Sequence, residues 1–280
     1  MKRILIPTDF SETAQHAIDY AITLFKNEDC TFYLLNVFSV DNYSTSNLGV
    51  PEPGNPAYEA KLNAAQKELK KIADLLDTKT NDNHHFEIIA SYNVILHEIE
   101  HLVEKRNIDL VVMGTKGVTD NWDKIFGSNA ANIMDRLISC PVIAVPKTAS
   151  LENPKEIVFP TSFKLPYNRQ EIVPMLNIAR KANATLRILH VIEENELSDL
   201  QKKNKALLEE DLTVLSYTYH ELTNLDVDAA IHCFAESRDA DMIALIHHKH
   251  GFFDRLLKKS VTKKIGNAAK VPMLAMHLFN

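Results

Sequence analysis

Short apolar runs alternate along this chain with segments whose apolar residues recur at helical spacing. Arg3–Ile6 is an apolar run halted by Pro7, as expected of a buried strand. Ser11 then stands at an N-cap position, and Ala14, Ala17, Ile18, Ala21, Ile22 and Phe25 follow with the period of an amphipathic helix. Thr31–Phe38 predicts a second strand, and Ala57–Leu76 a helix with an apolar stripe through Leu62, Ala65, Leu69, Ile72 and Leu76. Phe86–Ala90 reads as a third strand, and Ile95, Ile99, Leu102 and Val103 as the buried face of the next helix. Leu110–Met113, a helix from Ser128 and a strand at Val142–Val145 complete the unit. The order then recurs, with Tyr217–Leu222 as a third strand and Val227, Ala230, Ile231 and Phe234 as the following stripe. The helix at Leu200–Leu212, rich in Lys and Glu, reads as a solvent-exposed surface. Strands alternating with helices imply parallel sheets with right-handed crossovers, so each half is a doubly wound α/β domain of five strands.

The recurrence extends to the residues themselves. Lys2-Arg-Ile-Leu-Ile-Pro-Thr-Asp-Phe10 aligns with Lys155-Glu-Ile-Val-Phe-Pro-Thr-Ser-Phe163 at an offset of 153. Asp109–Met113 aligns with Asp241–Leu245 at 132, a register read without a gap from the Phe86 region to Ser128, which faces Ser260. Cys140–Val145 faces Val271–Met276 at 131. Three matches in the same order identify a duplication, joined near Thr148–Asn153, with domains at 1–148 and 153–280. The fall in offset places 21 extra residues in the first half, mainly between Ser39 and Pro56. That stretch has four Ser/Thr, three Pro and two Gly and no apolar period, so it reads as a long functional or mobile loop.

Charge and composition narrow the function. With a formal charge of −6, electrostatic binding to nucleic acid or to an anionic membrane is disfavoured. The N-terminus is too briefly apolar for a signal peptide and no run reaches membrane-span length, so the expected location is cytoplasmic. Cys30, Cys140 and Cys233 form no CxxC pair, lie in apolar surroundings and are read as core residues.

In doubly wound folds a ligand sits beyond the carboxyl ends of the strands, where the strand order reverses. After the fourth strand come Gly114 and Gly117, then nine residues, then Gly127-Ser128 at a helix start. Glycines permit close backbone approach to phosphate oxygens, and a helix N-terminus adds N–H donors and partial positive charge; Ser128 can cap that helix or donate its hydroxyl. Only seven glycines occur in 280 residues, so three at these spacings in the expected place are a specific signal. The alternative is a pair of turn glycines before an ordinary helix.

This pattern resembles the universal stress protein family, whose ATP-binding members carry G-x2-G-x9-G-[ST]. The resemblance covers essentially the whole chain, including Pro7-Thr8-Asp9 and Pro141-Val-Ile-Ala-Val145. It implies that Asp9 lies near ribose or phosphates, with or without a magnesium ion, beside the backbone of Pro7 and Thr8. It also implies that Val37 packs against adenine, that Met113 borders the adenine pocket, and that Asn129 offers a backbone N–H to phosphate. Asp9 as a loop-satisfying cap and Val37 as plain core are the competing readings. Related single domains dimerise through their last strand, so Val142–Val145 and Pro272–Met276 are expected to meet as an intrachain pseudo-dimer, with a homodimer or higher oligomer also open.

The second half has lost these residues: Ile246 faces Gly114, Lys249 faces Gly117, Lys259 faces Gly127 and Ser162 faces Asp9. One nucleotide per chain is therefore expected, in the first half. His247-His-Lys-His250 is a candidate metal ligand set, but no Cys and no placed Asp or Glu cluster completes it, and a polar loop is the simpler reading. No catalytic residue is assigned. The leading function is a nucleotide-binding stress-response protein that acts by binding, its choice of an unidentified protein partner depending on ATP. Slow ATP hydrolysis or self-phosphorylation is a second reading, with Asp9, Lys116 and Lys124 its candidate groups and no Walker-type GxxxxGK[ST] present. A nucleotide-independent interaction scaffold is the third.

Overall fold

A computed structural model describes residues 1–39, 53–80, 82–115, 127–192, 196–223, 225–247 and 271–277. The first half runs β1 (Lys2–Pro7), α1 (Glu12–Leu24), β2 (Cys30–Phe38), α2 (Pro56–Lys79), β3 (His84–Tyr92), α3 (Ile95–Arg106), β4 (Leu110–Gly114), α4 (Ser128–Arg136) and β5 (Val142–Val145). The second runs β6 (Glu156–Pro160), α5 (Arg169–Ala182), β7 (Thr185–Ile192), α6 (Asp199–Leu212), β8 (Tyr217–Thr223), α7 (Val227–Ser237), β9 (Met242–His247) and β10 (Met273–His277). The strand order is β3-β2-β1-β4-β5-β10-β9-β6-β7-β8. Two five-stranded parallel sheets thus meet edge to edge through the antiparallel pair β5–β10, where Met273, Leu274 and Ala275 face Ala144, Ile143 and Val142. The pseudo-two-fold pairing expected of the last strands is present within the one chain.

Helices cover both faces of this sheet, which is why the central strands are apolar on both sides rather than alternating. Ile4 and Ile6 join one core with Ala17 and Ile18 of α1 and Leu69 of α2, while Leu5 between them joins the other with Leu96 of α3 and Met134 of α4. Each core continues into the second half, the first through α5 and α6, the second through α7. The outermost strands β3 and β8 are half-exposed. No helix among the described residues is long and apolar enough to cross a membrane.

Side chains also bind the halves together. The His277 ring is buried and its Nε2 donates to Met134 O at 3.0 Å, near the end of α4. Burial and the neighbouring His247 push the His277 imidazole down to about 4, so it is neutral there at neutral pH. His247 Nε2 lies 3.2 Å from Asp135 Oδ1, again on α4. Lys181 pairs with Glu28 at 2.8 Å and stands 4.1 Å from the centre of the Phe25 ring.

Four sequence expectations change. The extra residues of the first half are divided between the connection and the helix: the β2–α2 connection has 17 residues (39–55) against 6 (193–198), and α2 has 24 against 14 in α6. The 132 register is not ungapped: Phe86 pairs with Phe32 as Tyr217 pairs with Leu186, an offset of 131, and the turn before α7 holds one more residue than that before α3. The α6 helix is not merely a solvated surface, since Asn204, Leu208 and Leu212 are buried on its inner side. Cys30 and Cys140 are buried as expected, whereas Cys233 is exposed, because α7 turns Ile231 and Phe234 inward instead.

Candidate functional site

The strand order of the first half reverses between β1 and β4, and a cavity of about 230 Å3 opens there. Its floor comes from the strand ends: Pro7, Thr8 and Asp9 after β1, Leu35 and Val37 of β2, Met113 and Gly114 of β4. Asn129 and Ala130 of α4 close one side, and Phe38, Asn93 and Ile95 the other. Seven of the ten expected site residues border this one space: Pro7, Thr8, Asp9, Val37, Met113, Gly114 and Asn129. Gly127 and Ser128 stand next to it at the start of α4, and Gly117 lies outside the described residues, as do Lys116, Lys124 and most of the stretch between Ser39 and Pro56.

The turn after β1 is shaped by its own side chains. Thr8 N–H donates to Leu35 O, and Asn36, buried, donates from Nδ2 to Thr8 O at 2.8 Å. Thr8 Oγ1 accepts Phe10 N–H at 3.0 Å, and Asp9 Oδ1 accepts Ser11 N–H at 3.1 Å. Phe10 adopts φ 64°, a left-handed conformation that costs a non-glycine residue about 1–2 kcal/mol. Asp9 therefore satisfies the turn, as the capping reading expects, and also borders the cavity. Among the described lining residues it is the charged one.

The two site glycines act differently from the expectation. Gly127 is the N-cap of α4 at φ −67°, with its N–H on Thr115 O at 2.7 Å, so Ser128 is the first helical residue rather than the cap. Gly114 has no positive φ either. A Cβ built on Gly114 would stand 3.0 Å from Thr13 Cγ2 and 3.1 Å from the Thr13 carbonyl carbon and oxygen. Glycine is required at 114 by the start of α1, packed against the strand end.

The cavity receives helix starts on two sides. In α4 the first intrahelical bond runs from Ala131 N–H to Gly127 O, so the amides of Asn129 and Ala130 have no partner within the helix. No acidic residue occupies the first turn of α4. In α3 the N-cap Val94 supplies no side-chain cap and the first-turn residue Ile95 also lines the cavity, but Glu98 already places a carboxyl in that turn. The start of α4 is thus the end that favours a bound anion.

The equivalent turn is kept in the second half, where the residues facing Lys116–Ala130 lie outside the described ones. Thr161 Oγ1 accepts Phe163 N–H, Phe163 has φ 56°, and His190 Nδ1 donates to Thr161 O, matching Thr8, Phe10 and Asn36. Phe163 is 1% exposed where Phe10 is 39% exposed, and its ring packs on His190 at 5.2 Å. Gln201 and Asn204 of α6 donate to the carbonyls of Ser162 and Phe163 at 2.8 Å, laying the helix onto the turn. The cavity among the described residues there is about 20 Å3. Ile246, in the place of Gly114, is buried. His248 and His250 lie outside the described residues, among which no group of three His, Cys, Asp or Glu is placed to hold a metal.

Sequence reasoning did not select Phe38, Asn93, Ile95 or Ala130. Ile95 and Ala130 carry no signal beyond helix periodicity, and Asn93 looks like any turn residue.

Residues 1–146 and 174–277 match the model of the Universal stress protein family. A universal stress protein of Methanocaldococcus jannaschii is 32% identical over 151 residues, covering 52% of this chain and 82% of its own length. Universal stress protein A homolog 1 of Coxiella burnetii is 31% identical over 147 residues, covering 51% and 95%. The crystal structure of a universal stress protein from Archaeoglobus fulgidus covers 98% of this chain and 95% of its own, with a TM-score of 0.67 at 18% identity, a likeness of fold.

Proposed function

Because this chain belongs to the universal stress protein family, we propose that its N-terminal half binds an adenine nucleotide, ATP, in the cavity between β1 and β4, and that its C-terminal half binds none. The observation behind this reading is the cavity of about 230 Å3 that seven of the expected residues border, with a buried Ile246 in the second half where Gly114 stands in the first. The larger volume is somewhat below the roughly 300–1,000 Å3 usual for small-molecule sites. It suits a nucleoside, with the phosphates running outward along the start of α4. In this arrangement the base lies over Val37 and Met113, and the Asp9 carboxylate accepts from ribose hydroxyls or helps hold magnesium beside the phosphates. Gly117, Gly127 and Ser128 border the phosphates, and Asn129 contributes its backbone N–H. The activity is binding: occupancy biases a conformation or the choice of a protein partner to the extent that the two states differ in affinity.

Calorimetric titration of magnesium-ATP into the protein and into Asn129→Glu tests this. A carboxylate in the first turn favours the helix by about 0.3–1 kcal/mol, so the variant should melt no lower than the parent. Its charge faces the phosphates and should weaken binding at least about tenfold. The expected stoichiometry is one; two equivalents, or undiminished binding by the variant, would contradict the assignment.

A further inference from the structure

The cavity is lined in part by Leu35, Val37, Phe38, Ser39, Asn93 and Ile95, of which Ser39 and Asn93 carry polar side chains. Asn93 sits in the two-residue turn between β3 and α3 and is held from two directions. Its Nδ2 donates to Glu98 Oε2 at 2.7 Å, and its Oδ1 accepts Val94 N–H at 2.8 Å. Glu98 lies one turn into α3 and is 8% exposed, so the carboxylate that fixes the amide is itself buried. These partners determine which end of the amide is nitrogen: the carboxylate accepts only from N–H, and the Val94 amide donates only to oxygen. An amide has two N–H donors and two acceptor sites, so one of each remains.

We propose that Asn93 reads the base of the nucleotide in the N-terminal cavity, with Glu98 as its positioning residue, and that the pair selects adenine over guanine. This rests on the reading that the cavity takes a nucleotide. Adenine presents a neighbouring donor and acceptor, N6–H beside N7, which an amide with one donor and one acceptor matches. Guanine presents N7 beside O6, two acceptors, and leaves the Asn93 oxygen facing a lone pair. Asn93 is exposed in the free protein, and a base seated on it would shield an unmatched polar pair from water, where it costs more than the matched pair gains. In the second half Asn224, which faces Asn93, lies outside the described residues, and Ala230 stands at the helix position of Glu98, so the positioning carboxylate has no equivalent there.

The test is titration of ATP and of GTP, each with magnesium, into the full chain and into Asn93→Ala, Glu98→Met and Glu98→Gln, with thermal melting as the check of folding. The parent should prefer ATP at least about tenfold. Asn93→Ala should weaken ATP about tenfold, leave GTP within about twofold and so level the two. Glu98→Met removes the acceptor that orients the amide and should also reduce the preference; Glu98→Gln, whose amide oxygen still accepts from Asn93, should recover it. A parent that binds ATP, with the ATP preference intact in Asn93→Ala, overturns this inference alone. A parent that binds neither nucleotide overturns it together with the proposed function.

Discussion

Gly114 separates two explanations of the same residue. As a phosphate-loop glycine it is needed for ligand approach; as a packing glycine it is needed by α1, ligand or no ligand. A Cβ at 114 would meet three atoms of Thr13 at 3.0–3.1 Å, where ordinary non-bonded carbon contacts lie at about 3.5–4.0 Å. One of those atoms is a methyl that can rotate away, but the other two belong to the backbone of the first turn of α1. Gly114→Ala therefore has to displace the helix start by about half an ångström. Overpacking of this kind costs about 1–3 kcal/mol, offset by about 0.4–1 kcal/mol from the stiffer unfolded chain, since the backbone at 114 needs no positive φ. The net loss is about 1–2 kcal/mol, or about 2–8 °C in melting temperature for a chain of this general size. Thermal melts followed by circular dichroism, without nucleotide, measure it directly. Thr13→Ala in the same chain removes the methyl but not the backbone contacts, so the double variant should recover part of the loss. The second half supports the packing explanation: α5 begins nine residues after Pro160, whereas α1 begins five after Pro7, and Ile246 is accommodated where Gly114 would be. If Gly114→Ala melts at or above the parent temperature, the packing argument is wrong and ligand approach must account for the glycine.

Two further outcomes are expected away from the cavity. The Arg187 guanidinium hydrogen-bonds Glu156 and holds its carboxyl below the ordinary 4.5, with burial opposing and the charge of Arg187 adding to the effect. A carboxyl depressed in the fold contributes stability above its unfolded pKa and loses it as pH falls through the folded value; the gap in urea midpoint between the parent and Glu156→Gln should be full above about pH 5 and narrow on acidification below 4.5. A gap independent of pH would remove the ion pair from the account. Asn204→Ala leaves the Phe163 carbonyl without its donor in a buried setting and should cost about 1–3 kcal/mol. Gln201→Ala cuts a bond of equal length at a half-buried residue and also opens the α6 capping box with Ser198, and should cost about 0.5–1 kcal/mol; a loss larger than that of Asn204→Ala in urea titrations would refute the argument from burial.

Much of the strand order is legible in the sequence because β1, β2 and β4 lie between helical layers and are apolar through most of their length. The edge strands read shorter than they are: β3 extends to His84 and Tyr92, beyond Phe86–Ala90, because a half-exposed strand admits polar residues at its ends. Asp9 and Met113 were legible at the cavity because they adjoin a strand end and a glycine at fixed spacing. Asn93 was not, since its place depends on a hydrogen bond to Glu98 five residues on and on the one-residue difference between two turns. The packing of Gly114 was out of reach for a related reason: spacing along the chain records that a glycine is present, while its neighbour Thr13 is 101 residues away (114 − 13).

The duplicated halves also suggest how one of the two sites was closed. Loss of the Asp9 and Gly114 counterparts changes the chemistry of the second site, but it does not by itself fill a cavity. The turn conformation survives intact, down to a left-handed phenylalanine in each half and a threonine hydroxyl accepting its amide. What differs is the cover. With six residues between β7 and α6 instead of 17, α6 comes down directly on the turn, and Gln201 and Asn204 bond the carbonyls of Ser162 and Phe163. His190 replaces Asn36 as the donor to the turn, and its larger ring stacks on Phe163 and holds that side chain inward. In the first half the longer connection leaves Phe10 partly exposed and the strand ends open. On this account, restoring Asp and Gly to the second half would still leave α6 bonded to the turn through Gln201 and Asn204.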